Sequence, residues 1–257
     1  MSALTHTAML TARAQRSTMR VPVFAVMQIV QPLIWLLLFG QLFTSVVEIP
    51  GFATPGTTYL EFITPGVVMM TAMFGAAWAG TGIVEDSERG VMDHLLASPA
   101  SRVAIQVSSL VWYSVVAAAQ ALVVLAVAWL RGARFDVAGI PVMLLGVVLL
   151  TCVFAAMSNA VALLTRQQQA LIGISQGLTI PLMFLSSAVM DTRLSAGWVE
   201  AAARFNPFDW AVVAGRQALS ATPDWGLVWG RLALLAALAV VMTALATSAF
   251  RAYRRAA

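Results

Sequence analysis

The chain of 257 residues contains no lysine, a single cysteine and two histidines, and only 10% of its residues are charged. A soluble domain usually carries roughly 25% charged residues. Because 60% of the residues are apolar and the mean hydropathy is +0.86, the composition is typical of a protein surrounded by lipid. We therefore predict an all-α integral membrane protein.

The missing lysine excludes the common nucleotide-binding loop from these residues. That loop is rich in glycine and ends in Lys-Ser or Lys-Thr, because the lysine ammonium contacts the terminal phosphates. For any energy-requiring function, the energy would therefore come from another chain or from an ion gradient. A gradient-driven transporter usually places Asp, Glu or His within the membrane, and the interiors of the predicted spans contain none. Backbone carbonyls of broken helices also bind sodium, so this alternative stays open.

The scarcity of histidine and cysteine argues against a membrane-embedded enzyme, because a catalytic or metal site needs a convergent set of side chains. His6 and His94 lie far apart in the sequence, and Cys152 has no second cysteine with which to form a disulfide. One acidic cluster has the oxygen ligands that a divalent cation prefers, but a solvated face is the favoured interpretation. Its members are Glu85, Asp86, Glu88 and Asp93.

Apolar blocks long enough to cross about 30 Å of hydrocarbon as helix predict six transmembrane helices. They cover residues 23–46, 63–84, 107–130, 140–164, 171–190 and 227–249. Upstream, Arg13, Arg16 and Arg20 lie on one face at helical spacing, which predicts an interfacial helix over residues 1–22. A partly ordered basic tail is the alternative. A cleavable signal peptide is disfavoured, because the first apolar block is too long.

Arginine positions predict the orientation, because short basic loops stay in the cytoplasm. With both termini cytoplasmic, the inner side receives Arg13, Arg16, Arg20, Arg89, Arg102, Arg166, Arg251, Arg254 and Arg255. The outer side receives Arg131, Arg134, Arg193, Arg204, Arg216 and Arg231. The pI of about 10.2 is explained by anionic lipid headgroups beside these loops. Nucleic acid is not an expected partner, because no run of basic and aromatic residues indicates a nucleic-acid groove.

The main polar interruption covers residues 85–102. Ser87 is a good helix N-cap, Glu88 suits the positive end of a helix and Pro99 prevents continuation, so we predict a helix over about 88–97. Its apolar face would rest on the bilayer or fit a groove on another protein. That face consists of Val91, Met92, Leu95 and Leu96.

Polar, soft and kink-forming residues within the spans are candidates for a substrate path, although helix packing explains most of them equally well. The candidates are Gln28, Gln31, Met69, Met73, Phe74, Asn159, Gln176 and Pro181. Gly173 and Gly177 form a GxxxG pair that allows close approach of another helix. The aromatic segment 191–226 predicts re-entrant external helices between spans five and six, with Asn206-Pro207 starting or breaking one of them.

Several of these motifs together resemble the ABC-2 type transporter permeases. The first is Glu88-Arg89-Gly90 followed by Leu95, Ser98-Pro99 and Arg102; the second is the stretch from Tyr59 to Gly66. The third runs from Phe184-Leu185-Ser186-Ser187 through Trp198 and Asn206-Pro207 to Arg216. Gly75-Ala76-Ala77 with Glu85-Asp86 is most similar to the daunorubicin-resistance-like drug-efflux permeases. Ser186-Ser187-Ala188 departs from the Ser-Gly and bulky residue of many relatives.

This resemblance implies an export permease in the plasma (inner) membrane of a bacterium, moving a drug or a lipid-like compound. Two permease chains, identical or different, would assemble with two ATP-binding cassette ATPase subunits that hold the ATP and Mg²⁺. This chain would carry no catalytic residue, cofactor or metal, and export of a lipid-linked glycan stays open. The residues that would couple to the ATPase are Glu85, Glu88, Arg89, Gly90, Met92, Leu95, Leu96, Pro99 and Arg102.

Overall fold

A computed structural model describes residues 11, 22–45, 57–91, 102–189 and 197–255 of the chain. Within them, all regular structure is helical. The helices are α1 (Pro22–Leu42), α2 (Tyr59–Ala77), α3 (Thr81–Glu88), α4 (Arg102–Leu130), a 3₁₀ turn (Val137–Gly139), α5 (Ile140–Thr165), α6 (Gln168–Phe184), α7 (Gly197–Ala203), α8 (Pro207–Ala218) and α9 (Trp225–Arg255). The interfacial helix predicted for residues 1–22 falls almost entirely outside the described residues.

Four helical stretches among the described residues are long and apolar enough to cross a membrane. They are Tyr59–Glu88, Val103–Leu130, Val137–Thr165 and Trp225–Ala249. Each coincides with one of the predicted spans. The shorter apolar stretch Val26–Leu42 coincides with the predicted first span. The architecture agrees with an all-helical membrane protein, and the count of six spans stays a prediction.

The long helices alternate in direction. Glu61, near the start of α2, accepts a hydrogen bond from the backbone of Arg134, just after α4 ends. Asn159, near the end of α5, bonds Gln106, near the start of α4. The molecule therefore has two ends: the α3 end, where α2 and α5 finish and α4 begins, and the α8 end, where α2 and α5 begin and α4 finishes.

Helix α5 is the centre of the bundle and packs against α2, α3, α4, α6, α8 and α9. Large side chains without exposed surface fill the space between these helices, among them Phe154, Leu150, Met69, Met73 and Phe208. Helix α1 packs at the edge of the bundle, mainly against α2 and α4 among the described helices. A chain folded in this way keeps its apolar outer surface for lipid.

The predicted fifth span is too long at its C-terminal end. Helix α6 finishes at Phe184 rather than near residue 190, and residues 185–189 follow an irregular path. Pro181 is inside α6, three residues before that end. Polar side chains of α8 hold the irregular segment, as described below, and their bonds replace those of a continued helix.

The predicted second span starts earlier than expected and is interrupted. A reciprocal capping box joins Thr58 to Glu61, so α2 begins at Tyr59 rather than Ile63. A turn at residues 78–80 then separates α2 from α3. Asn206-Pro207 was predicted to start or break a helix, and it starts one: Asn206 caps α8 and Pro207 is its first residue.

Candidate functional site

The α3 end carries the first part of the predicted ATPase-coupling segment, residues 85–102. The predicted N-cap at Ser87 is wrong, because Ser87 and Glu88 form the last turn of α3 instead of starting a new helix. Gly90 has φ +70°, the left-handed conformation in which glycine commonly ends helices. Since Gly90 turns the chain there, any further helix begins beyond it rather than at Glu88.

The charged side chains around residue 88 differ in exposure. Glu88 and Arg89 are exposed, while Glu85 and Asp86 are half-buried. Arg89 and Glu85 approach to 3.7 Å one turn apart on the surface. Such a pair contributes at most about 1 kcal/mol to stability, so these charges are available for other contacts.

The remaining predicted coupling residues are only partly visible. Met92, Leu95, Leu96 and Pro99 lie outside the described residues, and Arg102 is the first residue of α4. Their joint surface therefore stays a prediction. The structure does show the two helices on either side of this segment: α3 precedes it and α4 follows it.

The predicted substrate-path residues do not come together in one cavity. Met69 and Met73 have no exposed surface and belong to the core. Gln28 is half-buried and its amide oxygen accepts a 3.1 Å hydrogen bond from Gln120, whereas Gln31 is exposed. That bond joins α1 to α4.

The other four candidates are also dispersed. Asn159 is fully buried and donates to Gln106 and Ser109 of α4, at 3.1 and 3.2 Å. Phe74 and Gln176 are half-buried, and Pro181 is exposed. These positions suit packing between helices as well as a path formed with a second chain.

The structure contains an apolar groove of about 630 Å³ that the sequence analysis did not predict. It lies between α5 and α9, with Leu149 and Cys152 on one wall and Ala236, Val240 and Ala244 on the other. The signal was the spacing of small residues every fourth position along α9, which leaves a trough on one helix face. The groove offers room for an apolar chain such as that of a lipid.

A second feature missed from the sequence is a polar clamp at the α8 end. Asp209 accepts hydrogen bonds from the backbone N–H and the hydroxyl of Ser187, both at 2.7 Å, and is only 5% exposed. Arg216 donates to the Ser187 carbonyl at 2.7 Å and lies 3.8 Å above the Phe62 ring. Asp209 and Arg216 are seven residues apart, two turns of α8, so they share one face.

Asn206 completes this clamp. Its side-chain amide donates to the carbonyls of Leu182 and Leu185, both at 2.7 Å, while its oxygen caps α8. The end of α6 and the segment 185–189 are therefore fixed to α8 through backbone groups. The arrangement is structural support for the α8 end.

Within the described residues, no three side chains of the types that bind metals cluster together. The side chains of Ser158, Asn206 and Arg216, at the two ends of the bundle, donate hydrogen bonds to backbone carbonyls. What the geometry offers is a helical frame with an exposed charged corner at one end and a clamped end at the other.

Comparison with known proteins gives a consistent result. The profile of the ABC-2 type transporter family matches residues 5–220. "Putative transport permease ycf38" of Porphyra purpurea is 27% identical over 215 residues, which is 80% of this chain and 73% of that protein. "Daunorubicin resistance ABC transporter permease protein DrrB1" of Streptomyces coeruleorubidus is 28% identical over 226 residues, 84% of this chain and 76% of that protein.

The family resemblance inferred from the motifs is confirmed by this match. It covers the regions that include α1 to α8, so both the exposed corner and the clamp lie within it. Such a chain is a membrane-embedded transport component rather than an enzyme. The protein belongs to the ABC-2 type transporter permease family.

Proposed function

We propose that this chain is the membrane-spanning permease subunit of an ATP-binding cassette exporter. Members of this family normally work with ATP-binding cassette ATPase subunits. The family match over residues 5–220 carries the proposal. The absence of lysine from the sequence supports it, because the usual phosphate-binding loop is then absent from these residues, and ATP hydrolysis is assigned in this proposal to a separate ATPase subunit.

The exposed corner at the α3 end is where we propose that the ATPase docks. Residues 85–102 form the coupling segment, and α3 and α4 continue from it into the bundle. Movement of the ATPase would displace the segment and, through these helices, switch the permease between inward-facing and outward-facing states. The α3 end is cytoplasmic in this proposal, as are both chain termini, and the membrane is the plasma membrane of a bacterium.

The substrate in this proposal is a hydrophobic or amphipathic compound, a drug or a lipid-like molecule. The similarity to a permease named for daunorubicin resistance supports this class. The transport path would form between two permease chains, identical or different. Gly173 and Gly177 of α6 support such a pair, because they face open space in which a second helix can approach closely.

Copurification from the native membrane tests the proposal. An ATPase chain with a phosphate-binding loop should be retained with the permease in mild detergent, and the complex should hydrolyse ATP. Purification of an unrelated six-span protein from the same membrane serves as the control. Reproducible absence of any such ATPase would overturn the proposal.

Transport energetics give an independent check. Efflux of daunorubicin, used as the probe, from cells that express the complex should stop when ATP is depleted and persist with a protonophore at constant ATP. Efflux that stops with the protonophore alone would favour a gradient-driven transporter instead.

A further inference from the structure

Two adjacent residues of α5, Ser158 and Asn159, bond to the chain at the start of the two arms of the coupling segment. The incoming arm is α3, which follows the turn at residues 78–80, and the outgoing arm is α4, which starts at Arg102. Ser158 and Asn159 have no exposed surface. Because α5 lies at the centre of the bundle, contacts made at this point connect the segment with most of the other helices.

The Ser158 hydroxyl bonds to backbone groups directly before the incoming arm. It donates to the Ala77 carbonyl at 2.7 Å and accepts from the Gly80 N–H at 2.9 Å. Both groups border the interruption between α2 and α3, where regular helix bonding stops. A methyl group on Gly80 would overlap the Ser158 backbone, so the backbones of these two segments are in direct contact. This contact leaves no room for sliding.

Asn159 holds the outgoing arm differently, through side chains alone. Its amide nitrogen donates to the Gln106 side-chain oxygen at 3.1 Å and to the Ser109 hydroxyl at 3.2 Å. The Gln106 amide nitrogen and the Asn159 amide oxygen are buried without a partner among the described residues. Two amides can form two reciprocal hydrogen bonds, and this pair forms one.

The difference between the two contacts defines their mechanical properties. The side-chain amides of Asn159 and Gln106 can be joined by one hydrogen bond or by two. Exchange between these two arrangements lets α4 shift relative to α5 while the amides stay paired. The Ser158 contact with Gly80 has no equivalent alternative. From these observations we infer that Ser158 fixes the α3 arm to α5 as one rigid unit, whereas Asn159 and Gln106 form a sliding contact between α5 and the α4 arm.

This inference rests on the proposed coupling function and assigns positioning roles to both residues. When the ATPase moves the coupling segment, α3 and α5 move together, and α4 moves past them. Ser158 then determines which helices follow the ATPase. The loss of its hydroxyl removes the two hydrogen bonds at the start of the α3 arm and so weakens its attachment to α5, without removing any residue that the ATPase touches.

Distances between spin labels test the inference in the purified permease–ATPase complex in lipid nanodiscs. The background is Cys152→Ser, and labelled chains are diluted with unlabelled chains so that distances within one chain dominate. One pair, Gly82→Cys with Val137→Cys, spans α3 and the start of α5. The other, Val103→Cys with Val137→Cys, spans α4 and the start of α5; all three positions are exposed.

Trapping the complex with ATP and vanadate should change the Val103 to Val137 distance and leave the Gly82 to Val137 distance unchanged. In Ser158→Ala, the distribution of the Gly82 to Val137 distance should broaden and change with ATP. Each lost hydrogen bond should shift the equilibrium between an attached and a detached α3 arm about threefold. Transport of daunorubicin per ATP hydrolysed should fall in parallel. Asn159→Leu should broaden the first distance even without ATP.

Thr151→Val is the matched control. Thr151 is also fully buried in α5, but its hydroxyl donates to the Val147 carbonyl of its own helix. Equal changes of both distances in the parent complex, or equal behaviour of Ser158→Ala and Thr151→Val, would overturn the inference while the coupling function survives. ATP hydrolysis without a change in either distance would instead contradict the proposed coupling itself.

Discussion

At the scale of single residues, Gly90 determines the direction in which the chain leaves α3 and enters the rest of the proposed coupling segment. Its φ of +70° suits glycine, and residues with a Cβ pay about 1–2 kcal/mol in this conformation. Space is not the obstacle, since a Cβ at Gly90 would meet nothing within 4 Å. The strain therefore comes from the backbone alone, which makes the effect of substitution easy to interpret.

We expect Gly90→Val to lower transport per ATP hydrolysed, because the segment leaves α3 in another direction. Gly90→Asn should retain more activity, since asparagine tolerates the left-handed conformation. Gly82→Ala is the control: Gly82 also faces open space but lies inside α3, where alanine is favourable. Daunorubicin transport and ATP hydrolysis measured on complexes with equal expression decide the question, and equal loss in all three variants would contradict it.

The clamp at the α8 end gives a second prediction for single residues. Asp209→Ala removes two hydrogen bonds to a charged acceptor, each contributing about 1.5–3 kcal/mol. It also leaves the Ser187 N–H buried without that partner. The thermal unfolding midpoint in detergent should therefore fall by several degrees.

Glu200→Ala is the control for the clamp. Glu200 forms a 2.9 Å ion pair with Arg204 on the exposed side of neighbouring α7. Exposed pairs contribute about 0–1 kcal/mol, so the midpoint should hardly move. Similar shifts for the two variants would show that Asp209 does not stabilise the α8 end.

These residues also show what the sequence reveals. Asn206-Pro207 was predictable as a helix start, because an N-cap and a proline at the first position act locally. Ser87 has equally good local chemistry, yet Gly90 ends α3 and Ser87 remains inside its last turn. The bonds of Asp209 and Arg216 to Ser187 link positions 22 and 29 residues apart. Such pairs depend on the packing of α8 against α6 and are not encoded in any local pattern.

At the scale of helices, α2 shows how closely the irregular segment 185–189 approaches the bundle. A methyl group on Gly66 would lie 2.5 Å from the Ala188 carbonyl oxygen. The hydroxyl of Tyr59, at the start of the same helix, donates to the Val189 carbonyl at 3.1 Å. Helix α2 and α8 thus hold this segment from two sides.

Gly66→Ala should therefore destabilise the protein by about 1–3 kcal/mol, the usual cost of overpacking. Gly230→Ala is the matched control, since Gly230 lies within α9 and faces open space. Alanine favours helix at both positions, so only the steric term differs. Unfolding monitored in the same detergent should separate them, and an equally stable Gly66→Ala protein would contradict the close approach.

The helices themselves were largely predictable, because apolar blocks of membrane length are a strong signal. The boundaries were less so. Helix α2 begins at Tyr59 through the Thr58 and Glu61 capping box, and α6 ends at Phe184 because α8 binds the chain that follows. A capping box is a local pattern, so Thr58 and Glu61 could have predicted the start of α2. The end of α6 could not be predicted in this way, because it depends on a helix that comes later in the chain.

At the scale of the whole molecule, the alternating helices place Gln167 and Phe205 at opposite ends. Gln167 connects α5 to α6, while Phe205 connects α7 to α8 and is 82% exposed. With the natural cysteine replaced by serine, each position carries the only thiol when it is changed to cysteine. The two variants therefore report the orientation of the chain in the membrane.

In intact cells, an impermeant maleimide should modify Phe205→Cys, and Gln167→Cys should react only after the membrane is permeabilised. The Cys152→Ser chain without either cysteine is the control for background labelling. The reverse pattern would place the α3 end outside the cell, where no ATPase has access to ATP. It would contradict the orientation inferred from the arginines.

The shortness of α6 has a consequence for the surrounding bilayer. Its 17 residues rise about 25 Å, less than the roughly 30 Å of hydrocarbon that a span must cross. With α6 as a span, lipid beside it must thin, at a modest cost for each ångström of hydrophobic mismatch. Acyl-chain length thereby becomes a variable of this transporter: thin bilayers relieve the mismatch, and thick ones favour any state in which α6 is covered by another protein chain.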